Sequence, residues 1–197
     1  MRNGQGEDTT EPAPARRERP VRSLLVANRG EIAVRVLRAA GELGLRTVAV
    51  HSEDDARSLH VRLADEVRPL RGSGPAAYLD AGQLVEAATA AGCDAVHPGY
   101  GFLSESEGFA RACAEAWLTF VGPRPDVLAL FGDKAAGRAL AGRCGVPVLP
   151  GTDGPTSLEQ AAAFLASLGP GAAVMVKAAA GGGGRGMRLV RRAEDLE

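Results

Sequence analysis

Short apolar runs alternate with amphipathic helical segments through the first part of this 197-residue chain. The run SLLVAN (23–28) leads into GEIAVRVLRAAGELG (30–44), whose apolar residues recur at helical spacing, and RTVAVHS (46–52) follows. Further helices are predicted at 56–65, at 78–92 and after Ser104, and further strands at 66–70, 94–99 and 118–123. Parallel strands need a crossover between them, and a helix is the usual one. The alternation therefore predicts an α/β fold with an open, doubly wound parallel sheet.

The predicted helices carry their own signals for burial and for their ends. The first helix is expected to bury Ile32, Val36, Leu37, Ala40 and Leu43, and the helix at 78–92 to bury Leu79, Leu84, Val85 and Ala88. Gly44 follows the first helix, where a left-handed residue commonly ends a helix. Ser104 with Glu107 has the spacing of a capping box.

A different pattern begins near residues 130–135, where we predict a domain change. Helices are predicted at 133–145 and 157–169, and VPVLPG (146–151) between them reads as extended chain. Two strand-like runs, AAVMVKAAA and GMRLVRR, then flank a glycine run with no helix between them. That arrangement predicts an antiparallel hairpin rather than another parallel unit.

Composition and charge limit the classes of function. The net charge is -1 and the pI is near 6.3, so we expect neither nucleic-acid nor membrane binding. Residues 1–20 are polar and proline-bearing and are predicted to be disordered. The three cysteines are far apart, which predicts buried thiols in a reducing compartment, hence a cytoplasmic location, and no metal site.

The glycine run matches two phosphate-binding motifs by letter only. Gly181, Gly183 and Gly186 satisfy G-x-G-x-x-G, but Met187 and the residues after it alternate like a strand, whereas a dinucleotide site needs a helix there. A Walker loop would need Lys and then Ser or Thr after the last glycine. The remaining interpretation is a flap between two strands whose N–H groups point at phosphate, with Lys177 beside it. A mobile loop with a solvated lysine is the alternative.

Two further residues bear on a ligand site. Lys134 is predicted in the first turn of a helix, where a cation opposes the helix dipole unless an anion binds nearby. A solvent-exposed lysine is the simpler interpretation of that position. His97 lies in HPGYGFLSES, at the carboxyl end of a predicted strand, where open α/β sheets bind ligands. A packed histidine is the alternative there.

The order of several segments resembles the N-terminal part of biotin carboxylase. They are LLVANRGEIAVRVLRAAGELGLRTVAVHSEDD, HPGYGFLSES, FVGP, GDK, GVPVLPGTDGP and VKAAAGGGGRGMRLV, and the resemblance covers residues 21–197. This family is the ATP-grasp component of acetyl-CoA, propionyl-CoA and pyruvate carboxylases. The resemblance implies a Rossmann-like pre-ATP-grasp domain at 21–132 and the start of an ATP-grasp domain, with its first lid hairpin, at 133–197.

The resemblance also implies functions for individual residues. Lys134 and Lys177 would bind ATP on the phosphate side, and Met187 would lie beside the nucleotide. The flap over the triphosphate would consist of Gly181, Gly182, Gly183, Gly184 and Gly186, with Gly183 and Gly184 as the main backbone contacts. Arg38 and Glu42 match positions at the family's homodimer interface. Ala180 replaces a glycine of some members and would stiffen the flap slightly.

The family reaction implies cofactors and partners. ATP and bicarbonate give carboxyphosphate, and its CO2 unit passes to biotin on a carrier, which also serves a carboxyltransferase. The carboxylates for Mg2+ and the bicarbonate and biotin groups would lie beyond residue 197, so we expect these 197 residues alone to be inactive. The alternatives are a non-catalytic or partner-completed carboxylase fragment and another ATP-grasp ligase of the carbamoyl-phosphate or purine synthetase type.

Overall fold

The computed structural model describes residues 20–152, 154–178 and 186–196. Its first five strands form one parallel sheet in the order β3-β2-β1-β4-β5. They are β1 (Ser23–Val26), β2 (Arg46–His51), β3 (Glu66–Pro69), β4 (Ala95–His97) and β5 (Thr119–Phe120). The strand order reverses between β1 and β4, so the prediction of a doubly wound parallel sheet is confirmed.

The described residues form seven helices, some of which cover the two faces of this sheet. They are α1 (Gly30–Glu42), α2 (Leu59–Leu63), α3 (Ala81–Ala90), α4 (Glu107–Glu115), α5 (Pro125–Gly132), α6 (Lys134–Arg143) and α7 (Leu158–Ser167). Single 3-10 turns lie at Glu53–Asp55, Pro75–Leu79 and Ala193–Leu196. Successive side chains of a strand point to opposite faces. Leu24 and Val26 of β1 accordingly pack with α1, whereas Leu25 packs with α3 and α4.

The second unit is built on a two-stranded antiparallel sheet, β6 (Val174–Lys177) and β7 (Met187–Val190). Val190 packs with Leu165 of α7 and with Leu196, and the three form a small separate core. The predicted hairpin is therefore confirmed. The domain boundary near residue 133 stays a prediction.

Several predicted helix ends are wrong by a few residues, and two of the errors misplace a side chain. Leu43 is 77% exposed because α1 ends at Glu42, and Ala33 is buried instead. Leu79 is 53% exposed because α3 starts only after the cap Asp80. The helix predicted at 56–65 shrinks to α2.

The cap of α4 and the whole of α5 also differ from prediction. Ser106, not Ser104, caps α4, and its hydroxyl accepts from the backbone N–H of Phe109 at 3.2 Å. α5 was not predicted, because seven of its eight residues lie outside the buried core and leave a weak helical stripe. Cys93 and Cys113 are buried as predicted, but Cys144 is exposed at the end of α6.

No helix in the described part of the chain is long and apolar enough to cross a membrane.

Candidate nucleotide-binding site

One face of the β6–β7 hairpin combines apolar side chains with a single lysine. Lys177 lies directly opposite Met187, and Met175 lies opposite Leu189. Opposed residues of an antiparallel pair share a face, so these four side chains form one surface. About half of each of Met175, Met187 and Leu189 is exposed. The face can therefore receive a flat apolar group, with a cation at the end nearest the glycine run.

One end of the opposite face of the hairpin packs inward, and this burial decides which face points outward. Val174 opposes Val190, and both pack against α7. Val176 opposes Arg188 on this same side. Because alternate residues point to opposite faces, burial of Val190 fixes Lys177 and Met187 on the outer surface.

Gly186 directly precedes β7 and bonds to the residue that follows β6. Its φ is 72°, and its carbonyl accepts from the N–H of Ala178 at 2.8 Å. A Cβ at this position would lie 2.9 Å from the Ala178 Cβ, so a larger residue would be strained and crowded. Gly181, Gly182, Gly183 and Gly184 lie outside the described residues, and their contacts with phosphate stay predictions.

Lys134 is the first residue of α6, as predicted. The residue before it, Asp133, caps the helix and accepts from the N–H groups of Ala135 and Ala136 at 2.8 and 3.1 Å. The carboxylate of Asp133 offsets the unfavourable placement of a cation at this end of the helix dipole. Lys134 is exposed at this end of the helix.

The turn that follows β4 is folded around the side chain of Asn28. Its amide nitrogen donates to the carbonyls of Pro98 at 2.7 Å and Tyr100 at 2.9 Å. A Cβ on Gly99, whose φ is 66°, would lie only 2.6 Å from that nitrogen. Asn28 therefore occupies the crevice between β1 and β4, the point at which ligands of open α/β sheets bind.

His97 belongs to the same turn and is packed rather than free. Its Nδ1 accepts from the N–H of Gly99 at 2.9 Å, and desolvation lowers the pKa of the ring below its usual value. The structure therefore favours the packed-histidine alternative for His97. In the sequence this cluster is marked only by an asparagine at the end of a predicted strand and by the glycine-rich turn about 70 residues later. No local pattern links the two.

An ion pair between a partly exposed arginine and a buried aspartate joins the end of β1 to the turn after β2. Arg29 binds both carboxylate oxygens of Asp55, which also accepts from Tyr78 and Ser58 at 2.9 Å each. The Arg29 guanidinium holds the pKa of the Asp55 carboxyl well below its usual range, against the effect of burial. No sequence motif predicted a function for these four residues. Their polar network fixes the carboxyl edge of the sheet.

Arg38 and Glu42 lie on the exposed side of α1, whereas the two lysines belong to α6 and β6. They border a groove of about 890 Å3 between α1 and α2, together with Leu59 and His60. The predicted interface residues therefore share one accessible surface.

The described residues contain no group of three or more His, Cys, Asp or Glu side chains that could hold a metal ion. The described residues therefore offer no preformed set of protein ligands for Mg2+.

Comparison with known proteins identifies two families along the chain. The family described as "Biotin carboxylase, N-terminal domain" matches residues 20–128, and that described as "Carbamoyl-phosphate synthase L chain, ATP binding domain" matches residues 133–197.

Two curated relatives illustrate the similarity. The mitochondrial pyruvate carboxylase of Mus musculus is 51% identical over 182 residues, which are 91% of this chain and 15% of that protein. The biotin carboxylase of Halalkalibacterium halodurans is 50% identical over 177 residues, 89% of this chain and 39% of that protein. The chain thus spans well under half the length of either relative.

Solved structures agree with the fold. A biotin carboxylase from Campylobacter jejuni in complex with β-γ-ATP superposes with a TM-score of 0.86 at 41% identity, covering 90% of this chain and 40% of that one. The biotin carboxylase domain dimer of the Hydrogenobacter thermophilus 2-oxoglutarate carboxylase, with MgADP, ADP and bicarbonate, gives 0.84 at 45% identity, covering 91% and 39%.

Proposed function

Because this chain belongs to the biotin carboxylase family and corresponds to its N-terminal part, we propose that it contributes half of an ATP site to an enzyme that carboxylates biotin. In that reaction ATP and bicarbonate form carboxyphosphate, and the CO2 unit is transferred to biotin on a carrier protein. The proposed partners are the carrier, a carboxyltransferase component and a second copy of the chain. We also infer a cytoplasmic location, from the cysteine pattern.

The observation that carries the proposal is the pairing of Lys177 with Met187 on the exposed face of the hairpin. A nucleotide has a flat base at one end and a polyanion at the other, and this face offers apolar side chains and a cation. We propose that Met187 contacts the base or ribose and that Lys177 binds a phosphate oxygen as a point charge.

Lys134 and the glycine run complete this half-site in the proposal. Lys134 would bring a second cation to the triphosphate from the first turn of α6. The run Gly181–Gly184 would add backbone N–H groups above the phosphates, and Gly186 would close the hairpin beneath them. Mg2+ supplies further neutralisation of phosphate charge when it is bound in such an enzyme, and we assign it no ligand in this chain.

The proposal is tested by titrating MgATP into protein labelled with 13C in its methionine methyl groups. Met175 and Met187 both lie on the proposed face, and Met1 is the third methionine. We expect both hairpin methyl signals to shift. We expect Lys177→Ala to weaken binding by about 10- to 150-fold, because a hydrogen bond to a charged group contributes about 1.5–3 kcal/mol.

Arg188→Ala is the matched control, because Arg188 is a cation of the same hairpin on its opposite face. AMP is the second control, since Lys177→Ala should affect its binding much less than that of ATP. Equal losses in the two variants, or unshifted methionine signals at saturating MgATP, would contradict a nucleotide site on this face.

A further inference from the structure

Arg138 joins α6 to the segment that leaves it. Its guanidinium donates from one nitrogen to the carbonyl of Leu149 and from another to the carbonyl of Gly151, the latter at 3.0 Å. Both acceptors lie in the segment 145–152, which leads towards α7 and the hairpin. The side chain is half-buried. A planar guanidinium that binds two fixed carbonyls defines an orientation as well as a distance.

Gly151 leaves space for this contact. A Cβ at position 151 would lie 2.8 Å from a terminal nitrogen of Arg138 and 3.1 Å from its central carbon. The backbone of Gly151 is outside the left-handed region, so another residue could adopt its conformation without strain. A side chain here would therefore displace the guanidinium and leave the local backbone intact. Gly154 is a useful contrast, since a Cβ there meets nothing within 4 Å.

The same helix carries Lys134, four residues before Arg138. Residues at this spacing lie on one face of a helix. Lys134 and Lys177 are proposed to bind one triphosphate, but they lie on different elements, α6 and the hairpin. The separation of the two ammonium groups therefore depends on how the connecting segment 145–152 leaves α6.

We propose that Arg138 is a positioning residue, which fixes the connecting segment against α6 and thereby sets the distance between Lys134 and Lys177. The expected effect of Arg138 on ATP binding rests on the proposed function. Its expected effect on the position of the hairpin does not depend on a bound nucleotide. Arg138 itself need not contact the nucleotide. Loss of its two hydrogen bonds lets the hairpin unit take a wider range of positions, so both lysines reach the triphosphate less often.

The geometric part is tested by electron-spin distance measurements on the 197-residue chain. Cys144 at the end of α6 is exposed while Cys93 and Cys113 are buried, so one nitroxide label goes on Cys144. The second goes on a cysteine introduced by Glu159→Cys in α7. We expect a narrow distance distribution in the parent, a broad one in Arg138→Ala, and an intermediate one in Arg138→Lys, which can donate to both carbonyls only imperfectly.

Two glycine variants test the contact from the other side. Gly151→Ala should broaden the distribution as Arg138→Ala does, whereas Gly154→Ala should leave it unchanged. Thermal unfolding of each variant separates a change of position from a loss of folding. A parent-like distribution in Arg138→Ala, or equal broadening in the two glycine variants, would overturn the inference.

The functional part is tested by MgATP titration of the methionine-labelled chain. Arg138→Ala should bind about tenfold more weakly than the parent, a loss at the lower end of that expected when one lysine no longer reaches the triphosphate. A broad distance distribution in Arg138→Ala together with an unchanged affinity for MgATP would contradict an effect of Arg138 on ATP binding. If MgATP bound neither protein while the distances differed, the proposed function would fail and the positioning of the hairpin unit by Arg138 would stand.

Discussion

At the scale of single residues, His60 is the clearest case of a titratable group held neutral by the fold. Its ring is fully buried, and Nε2 lies 3.1 Å from the carbonyl of Val50, to which it can only donate. Nδ1 is buried and has no hydrogen-bond partner among the described residues. Desolvation lowers the pKa of His60, and Arg29 acts in the same direction while Asp55 opposes it.

This predicts a loss of stability in mild acid. Below the ordinary histidine pKa of 6.5, the unfolded chain gains a proton at His60 that the native chain does not, so the free energy of unfolding falls. The maximum slope for one residue is about 1.4 kcal/mol per pH unit. Urea unfolding at pH 7.5, 6 and 5 measures how the free energy of unfolding falls with pH. Buried carboxylates such as Asp55, whose pKa is lowered, add their own loss only at lower pH.

His60→Gln is the informative variant, because a glutamine amide can still donate to the carbonyl of Val50. We expect a shallower dependence on pH between 7.5 and 5. Some slope should remain, since the pKa of His97 is lowered as well. An unchanged slope in His60→Gln would show that another group causes the acid sensitivity.

The sequence located the two lysines but not the polar residues that support the sheet edge. Lys134 and Lys177 follow from local pattern, since a helix start and strand alternation are encoded by neighbouring residues. Asn28 bonds to carbonyls 70 and 72 residues away, and Arg29 pairs with Asp55 across 26 residues. Those partners become neighbours only when β1, β2 and β4 align, so no local pattern reveals them.

At the scale of elements, α4 ends differently from four other helices. Those four are followed by a glycine in the left-handed conformation, namely Gly44 after α1, Gly92 after α3, Gly145 after α6 and Gly169 after α7. The corresponding residue after α4 is Trp117, with φ 62°. A Cβ is disfavoured in this conformation by about 1–2 kcal/mol, and tryptophan gains little burial in return, since it is 78% exposed.

This predicts an inverted preference between glycine and alanine at position 117. Trp117→Gly should be more stable than Trp117→Ala by about 1 kcal/mol, because both remove the indole and only alanine retains a Cβ. Chemical denaturation of the two variants measures the difference. At the preceding residue, Ala116, φ is -84°, so Ala116→Gly should lower stability instead. Alanine equal to or better than glycine at 117 would refute backbone strain there.

Element ends depend on more than the local pattern. α1 and the hairpin were predicted well because long periodic runs and strict alternation give strong signals. α5 was missed because only Leu128 among its eight residues is buried, so it lacks the stripe that marks a helix. The α4 cap was misplaced because Ser104 and Ser106 both precede a helical run, and two successive turns, Gly101–Ser104 and Leu103–Ser106, delay the start of α4 until after Ser106.

At the scale of the whole molecule, the accessible side of α1 is the proposed contact with a second copy. Arg38 and Glu42 are exposed beside the groove between α1 and α2. A relative of known structure is described as a dimer of biotin carboxylase domains. We therefore propose that a second copy of the chain contacts this surface, with Arg38 and Glu42 as its charged residues.

We expect Arg38→Glu to weaken self-association measured by sedimentation equilibrium, because charge reversal in an interface leaves a desolvated, mispaired group. Arg143→Glu on α6 provides the control, as an exposed arginine at a helix end outside this groove. Equal effects of the two substitutions would indicate a general response to net charge. No effect of Arg38→Glu would place the contact elsewhere.

The sequence by itself determined the fold class, the hairpin and the positions of both lysines. These features rest on periodicity, strand alternation and helix-start signals, all of which act between residues close in the chain. Tertiary structure alone decided that Asn28 fills the crevice between β1 and β4, that Trp117 takes a glycine conformation, and that Arg138 binds the connecting segment. Each depends on a contact or a backbone angle imposed by packing between elements, which the order of residues does not reveal.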